Sequence, residues 1–267
     1  MTELSETPEV PTADEIRSVL RRMWDGGDWP VSFGDGEAEP LRSHPNYNHP
    51  GPVTDNPYWE TVGWLPAEAI PLFGQPPLVP DVSLMTIRRS TGPVMHASRD
   101  LLVLTYAWSI PSPGDLAFIT DHLAGRGVVE VGAGGGYWAW QLSQAGVDVL
   151  AYDARPGGNE HVGPTQYHPV HVGGPEVAAE HGDRALLLCW PPGGNSMAAD
   201  TLAAYTGDMV IYIGELNPHC NASPAFFDTL EREWYFLGAS RYHINFYGMH
   251  CRLMIFTRHA HAERHAG

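Results

Sequence analysis

Positive charge, cysteine and long apolar runs are all scarce in this 267-residue chain, and each shortage excludes something. Lys and Arg together number 15 against 31 Asp and Glu, giving a formal net charge of -16 at pH 7 with His neutral. A field of that sign repels phosphate backbones, and the few cations are scattered. Neither nucleic acid nor an anionic membrane is therefore an expected partner. The three cysteines, Cys189, Cys220 and Cys251, are far apart and show no CxxC spacing. So sparse and odd a count argues against a disulfide framework and fits a reducing cytoplasm. No stretch approaches the roughly 18 consecutive apolar residues that span a bilayer. The first ten residues lack the basic start and apolar run of a secretory signal. A soluble cytoplasmic protein is expected. Its 43% hydrophobic residues suffice for one large domain, or a domain with a cap.

The chain changes character near residue 112. Before it, prolines crowd an irregular, aromatic-rich stretch from Pro45 to Pro80. Proline removes a backbone donor and fixes φ, so this part reads as loop with short helices. Thr12 and Glu15 form a capping-box pattern ahead of an apolar face of Ile16, Val19, Leu20 and Met23. A second helix is predicted from Ser98 through Trp108, stopped by Pro111. From Ser112 on, apolar strands alternate with helices: 128–131, 147–153, 168–172, 185–189 and 209–213 read as strands. A helix at 223–234 and a final strand pair between Phe236 and Thr257 follow. The prediction is an α/β, Rossmann-like doubly wound sheet over 112–258 with an antiparallel edge strand. Residues 1–111 are expected to form an irregular N-terminal cap, and 259–267 a polar tail.

The central signal runs from Val129 to Trp138 and contains Glu130, Gly132, Ala133, Gly134, Gly135, Gly136 and Tyr137. It follows a predicted strand and opens a helix. Glycine is needed where backbone turns sharply or lies against a ligand with no Cβ between them. About twenty residues on, the next strand ends in Asp153-Ala154, where a carboxylate can accept both hydroxyls of a ribose. A dinucleotide fingerprint started at Gly132 puts Tyr137 where a small residue belongs. Started at Gly134, it puts the first glycine too far past the strand. The spacing Glu130, Gly132, Gly134, Gly136 instead resembles motif I of class I S-adenosylmethionine-dependent methyltransferases, and Asp153 resembles their second, acidic motif. The resemblance covers residues 112–258 and is specific at those two motifs; the chain looks most like methyltransferase-like proteins of bacteria and fungi. It implies that the loop contacts the amino-acid part of the cofactor, with Tyr137 and Ala154 beside it, and that Asp153 holds the ribose. As a strand-end carboxylate beside a pocket, Asp153 is expected to matter little for thermal stability.

Trp190-Pro191-Pro192 closes the fourth predicted strand and resembles the place where amino-group methyltransferases carry Asp or Asn before Pro-Pro-Tyr or Phe. Here Trp190 replaces the acceptor and can only donate, so the likeness implies no base- or glutamine-methylating role. A rigid wall beside the cofactor is the functional reading, a stiff surface turn the structural one. Glu215, after the fifth strand, and His219 are candidates to orient an acceptor or take its proton. Loop capping and a solvated histidine are their ordinary alternatives. Arg99 and Tyr106 are candidates to reach the cofactor from the helix before the core. No histidine has metal-ligand spacing, so no metal is expected. The reading is S-adenosylmethionine-dependent methyl transfer to a small-molecule acceptor. A cofactor-binding pseudo-enzyme, a methyltransferase fold doing other chemistry, and a nicotinamide oxidoreductase are its rivals.

Overall fold

Short apolar strands, most of them buried on both faces, build the fold. In a computed structural model, residues 10–25, 41–43, 47–64, 72–73, 99–157, 163–218, 220–246 and 249–259 are described. The elements in chain order are α1 (Ala13–Asp25), α2 (Pro57–Trp64), β1 (Leu72–Phe73), α3 (99–105), α4 (Pro113–Leu123), β2 (Val128–Val131) and α5 (Tyr137–Gln144). They continue with β3 (Val149–Asp153), β4 (Val170–Val172), β5 (Ala185–Cys189), α6 (Met197–Ala204) and β6 (Met209–Gly214). The last are α7 (Pro224–Glu233), β7 (Trp234–Ala239), β8 (Ile244–Asn245) and β9 (Arg252–Arg258). The main sheet has the order β4-β3-β2-β5-β6-β9-β7. Pairing is parallel from β4 through β6, and β9 runs antiparallel to both β6 and β7. The antiparallel pairing predicted for the end of the chain is thus present, with β9 seated between β6 and β7.

Side chains two apart share a face of a strand. Ala185, Leu187, Ile211, Ile213, Leu253 and Ile255 therefore meet α4 and α5 in one core layer. Leu186, Leu188, Val210, Tyr212, Met254 and Phe256 meet α6 and α7 in the other. Both faces being covered explains why β5 and β6 are apolar at nearly every position. α4 begins where Ser112 Oγ accepts from Asp115 N at 3.0 Å, and the Asp115 carboxylate reaches back to Ser112 N. Thr12 and Glu15 make the predicted capping box at α1, the Glu15 carboxylate accepting from Thr12 N at 2.8 Å.

Segments before residue 112 pack on the sheet domain. Ile16, Leu20, Tyr58 and Val62 form one cluster with Leu102, Tyr106, Tyr137, Tyr167, Ile244 and Phe246. β1 also pairs with β8. α3 ends at residue 105, three short of the predicted Trp108, and Ser98 lies outside the described residues. Among the described residues no helix is long and apolar enough to cross a membrane.

Candidate functional site

In an open α/β sheet, ligands sit outside the carboxyl ends of the strands, where the winding reverses. Here β2 leads to β3 on one side, and the chain later returns to β5 on the other, so the reversal lies between β2 and β5. The glycine loop emerges from β2 at that point. Gly132, Gly134 and Gly136 have φ of +81°, +56° and +75°, a left-handed region costly to other residues. Gly132 N and Ala133 N both donate to Tyr152 O, which locks the loop to β3. A Cβ on Gly132 would meet Met197 Cε at 2.5 Å, the movable end of a flexible side chain.

Asp153 lies at the loop, though not as a bare carboxylate. Its Oδ2 accepts from Gly134 N and its Oδ1 from Arg155 N, each at 2.8 Å. The residue is 8% exposed. Each oxygen keeps a second lone pair for a hydroxyl donor. Ala154 beside it is exposed. Glu130 points under α5 from the β2 face that carries Val128. α5 has no side-chain cap of its own. Burial pushes the Glu130 pKa up to about 8, against the Ala139 N–H, which lowers it, and with the Asp153 charge, which raises it. Its Oε2 is buried without a partner. A carboxyl that holds its proton at neutral pH fits that setting.

Tyr137 packs in the aromatic cluster at 1% exposure. Its hydroxyl accepts from Tyr58 N at 3.0 Å and donates to Asn56 Oδ1 at 2.9 Å, fastening the N-terminal segment to α5. Tyr106 stacks on Tyr58 with ring centroids 4.8 Å apart. Glu215 accepts from His250 N at 2.8 Å through Oε1, while its own N–H donates to Asn221 Oδ1 at 2.7 Å. Those contacts are the loop-bracing alternative of the sequence reading. His219 lies outside the described residues.

Beyond the ends of β5 and β6 a narrow cleft is lined by Arg99, Trp108, Trp190, Asn245, Phe246 and Cys251, among others. Its volume is about 10 Å³, room for about one water, against roughly 300–1,000 Å³ for whole small-molecule sites. Trp190 has φ +47°, a strained conformation for an aromatic residue. Its backbone N–H donates to Ile213 O at 2.7 Å, and its indole N–H donates to Cys251 Sγ at 3.1 Å. Trp108 packs on it at 5.5 Å, and the Arg99 guanidinium lies 5.3 Å from the Trp108 ring centre. Arg99 thus joins Trp190, and Tyr106 does not line this cleft.

A polar chain beneath the cleft escaped sequence reasoning. His243 Nε2 lies 3.2 Å from Cys251 Sγ, and its Nδ1 lies 2.9 Å from Asp115 Oδ2. Asp115 Oδ1 accepts from Ser240 Oγ at 2.5 Å. No spacing rule links positions 115, 243 and 251, which only the sheet brings together. Among the described residues no group of three or more His, Cys, Asp or Glu is arranged to hold a metal ion.

No family model and no curated protein matches the chain. Solved structures with partial likeness include magnesium protoporphyrin IX methyltransferase (ChlM) from Synechocystis PCC 6803 with bound SAM. It is 12% identical, with TM-score 0.37, over 68% of this chain and 100% of that one. A TehB-like SAM-dependent methyltransferase from Corynebacterium glutamicum is 18% identical, with TM-score 0.35, over 54% and 86%. A mutant of MtNAS in complex with S-adenosylmethionine is 13% identical, with TM-score 0.39, over 92% and 97%.

Proposed function

We propose that the 132–136 loop binds S-adenosylmethionine and that the chain transfers its methyl group to a small-molecule acceptor. One observation carries this reading: a loop of left-handed glycines leaves β2 at the winding reversal, with the Asp153 carboxylate of β3 hydrogen-bonded to it. The weak likenesses to solved structures assign neither cofactor nor acceptor. The residues that would hold the cofactor are the loop, with Met197 moving aside, and Asp153 through its remaining lone pairs. When bound, the cofactor supplies an electrophilic methyl group on a sulfonium. The chain's own task is alignment and exclusion of water, and orientation of two reactants is worth ~7–11 kcal/mol. Trp190 and Trp108, with the Arg99 guanidinium beside them, are the residues that would face the acceptor.

Calorimetry on the full chain tests the reading, titrating S-adenosylmethionine, S-adenosylhomocysteine and the nicotinamide dinucleotides in parallel. Saturable binding of both adenosyl ligands and none of the dinucleotides is expected. Binding of a dinucleotide alone would replace this reading with the oxidoreductase one. Cofactor binding without turnover across an acceptor screen would leave a binding module.

A further inference from the structure

The seven-stranded sheet ends in two edges of opposite character. At one, β4 is three residues long, with Pro169 just before it and Pro175 shortly after. Brevity and proline both keep a sheet edge from pairing with another chain. At the other, β7 runs six residues with neither a proline nor a charge. It pairs with β9 on one side, and among the described residues no strand lies on the other. Three consecutive side chains stand out there: Tyr235 is 56% exposed, Phe236 50% and Leu237 43%. Neighbours on a strand point to opposite faces, so this edge is apolar on both. The other exposed large apolar side chains among the described residues, Val53, Leu104, Val172 and Leu216, are solitary, which is ordinary for a protein surface.

The backbone of that edge is open as well. Arg258 N donates to Asp208 O, on the β6 side of β9. Along an antiparallel ladder the N–H and C=O of one residue point to one side and those of the next point to the other. Thr257 therefore faces its partner Tyr235, and Phe236 turns its N–H and C=O away from β9. Trp234 turns its carbonyl outward too, its N–H donating to Leu230 O. The register shifts between Phe236 and Gly238, so the regular outward edge is 234–236. Charge also differs along the strand. Asp228, Glu231, Arg232 and Glu233 precede it at the end of α7, and exposed Arg241 follows it. Arg232 is paired with Glu233 at 2.8 Å, which leaves Asp228 and Glu231 to set the sign of that end. An antiparallel second copy lays the acidic start of each strand toward the basic end of the other.

We propose that β7 is the interface of a two-fold dimer of this chain, its outer edge pairing antiparallel with the same edge of a second copy. A two-fold axis at Tyr235 sets the Phe236 N–H of each copy on Trp234 O of the other and brings the two Tyr235 residues opposite one another. Such a contact uses the same patch on both copies and closes on itself. Pairing β7 with β4 would instead leave free edges and grow a fibre. Three side chains and two main-chain hydrogen bonds fall short of the about 800 Å² that each partner buries in a standard interface. Association is therefore reversible, with a Kd in the micromolar range. β6 and β9 separate this edge from β5 at the winding reversal. The dimer thus stands apart from the glycine loop, and holds or fails whatever that loop binds.

Sedimentation velocity on the full chain is the first test, with loading from about 2 to about 500 µM to bracket such a Kd. A shift from monomer to dimer with rising concentration is expected. Tyr235→Lys and Phe236→Lys put a charge on exposed edge positions and should weaken association at least tenfold. Circular dichroism and the urea midpoint check that both variants stay folded. Register is read by oxidation in a Cys220→Ser background, which removes the exposed native thiol. Opposite residues of a non-hydrogen-bonded pair have Cα atoms about 4.5 Å apart, within the range a disulfide spans. Tyr235→Cys is expected to form a linked dimer at least tenfold faster than Leu237→Cys, or than Val172→Cys on β4. A chain that stays monomeric at every concentration overturns the proposal. So does a dimer that both Lys variants leave intact, one linked faster through Leu237→Cys or Val172→Cys, or an assembly that grows without limit. If neither Lys variant folds, the wild-type series and the cysteine rates still decide.

Discussion

Asp153 and Glu130 sit at neighbouring strand ends and do opposite things. Asp153 spends one lone pair of each oxygen on backbone N–H groups of the site's own loops. Those bonds argue for a larger effect on stability than the small one expected from the sequence. Asp153→Asn keeps one good acceptor and turns an amide N–H toward another donor. Hydrogen bonds to charged groups are worth about 1.5–3 kcal/mol, so a stability loss of that order is expected in urea unfolding. Affinity for S-adenosylhomocysteine is expected to fall roughly tenfold or more alongside it. A variant with wild-type stability would mean that the carboxylate does not hold the loop. Glu130 is the reverse case, a buried carboxyl whose pKa is raised from 4.5 to about 8. The unfolded chain releases that proton near pH 4.5 and the folded chain near pH 8. Between those values the folded state holds the extra proton, so this group's contribution to stability falls as pH rises and levels off above pH 8. Glu130→Gln mimics the protonated form. It is expected to flatten that part of the pH–stability curve, read by denaturant midpoints at pH 5, 6.5 and 8.

The connection from α3 into α4 shows how one helix start positions a remote group. Ser112 caps α4 through Asp115 N, and its Oγ also donates to Tyr242 O at 3.2 Å. Asp115, the third residue of α4, then receives Ser240 and His243. A short run of sequence therefore fastens the segment after β7 to the first turn of α4. Loss of a serine cap costs about 0.5–2 kcal/mol. Ser112→Ala is expected to reach the upper part of that range, because the Tyr242 carbonyl loses a donor too. The measurement is equilibrium unfolding. A change under a few tenths of a kcal/mol would show that the box contributes nothing. The capping box itself was partly legible, since Ser112-Pro113 is a helix-start signal. Its second use was not, because Ser240 and His243 lie more than a hundred positions away and no local rule connects them.

At the scale of the whole molecule, the N-terminal segments and the sheet domain share one apolar cluster. Deleting residues 1–90 is expected to uncover Tyr137, Tyr167, Ile244 and Phe246 together, an apolar patch of the kind that drives association. Size-exclusion chromatography should show a fragment that aggregates; a monomeric, cooperatively unfolding fragment would show the segments to be dispensable. Alternating apolar strands, helix caps and glycine spacing are local, and the sequence by itself determined the doubly wound sheet, its order of elements and the loop between β2 and α5. Local periodicity reports which face of an element is apolar, whatever it packs against. Only the tertiary structure decided that Tyr137 belongs to the N-terminal contact and that Glu215 braces the loop before β9. It alone brought Asp115, His243, Cys251 and Trp190 together beneath one cleft. The physical reason is the same in each case: these contacts are side-chain hydrogen bonds across the sheet's carboxyl edge. Their partners are set by which strand ends lie side by side, and sequence distance does not encode that.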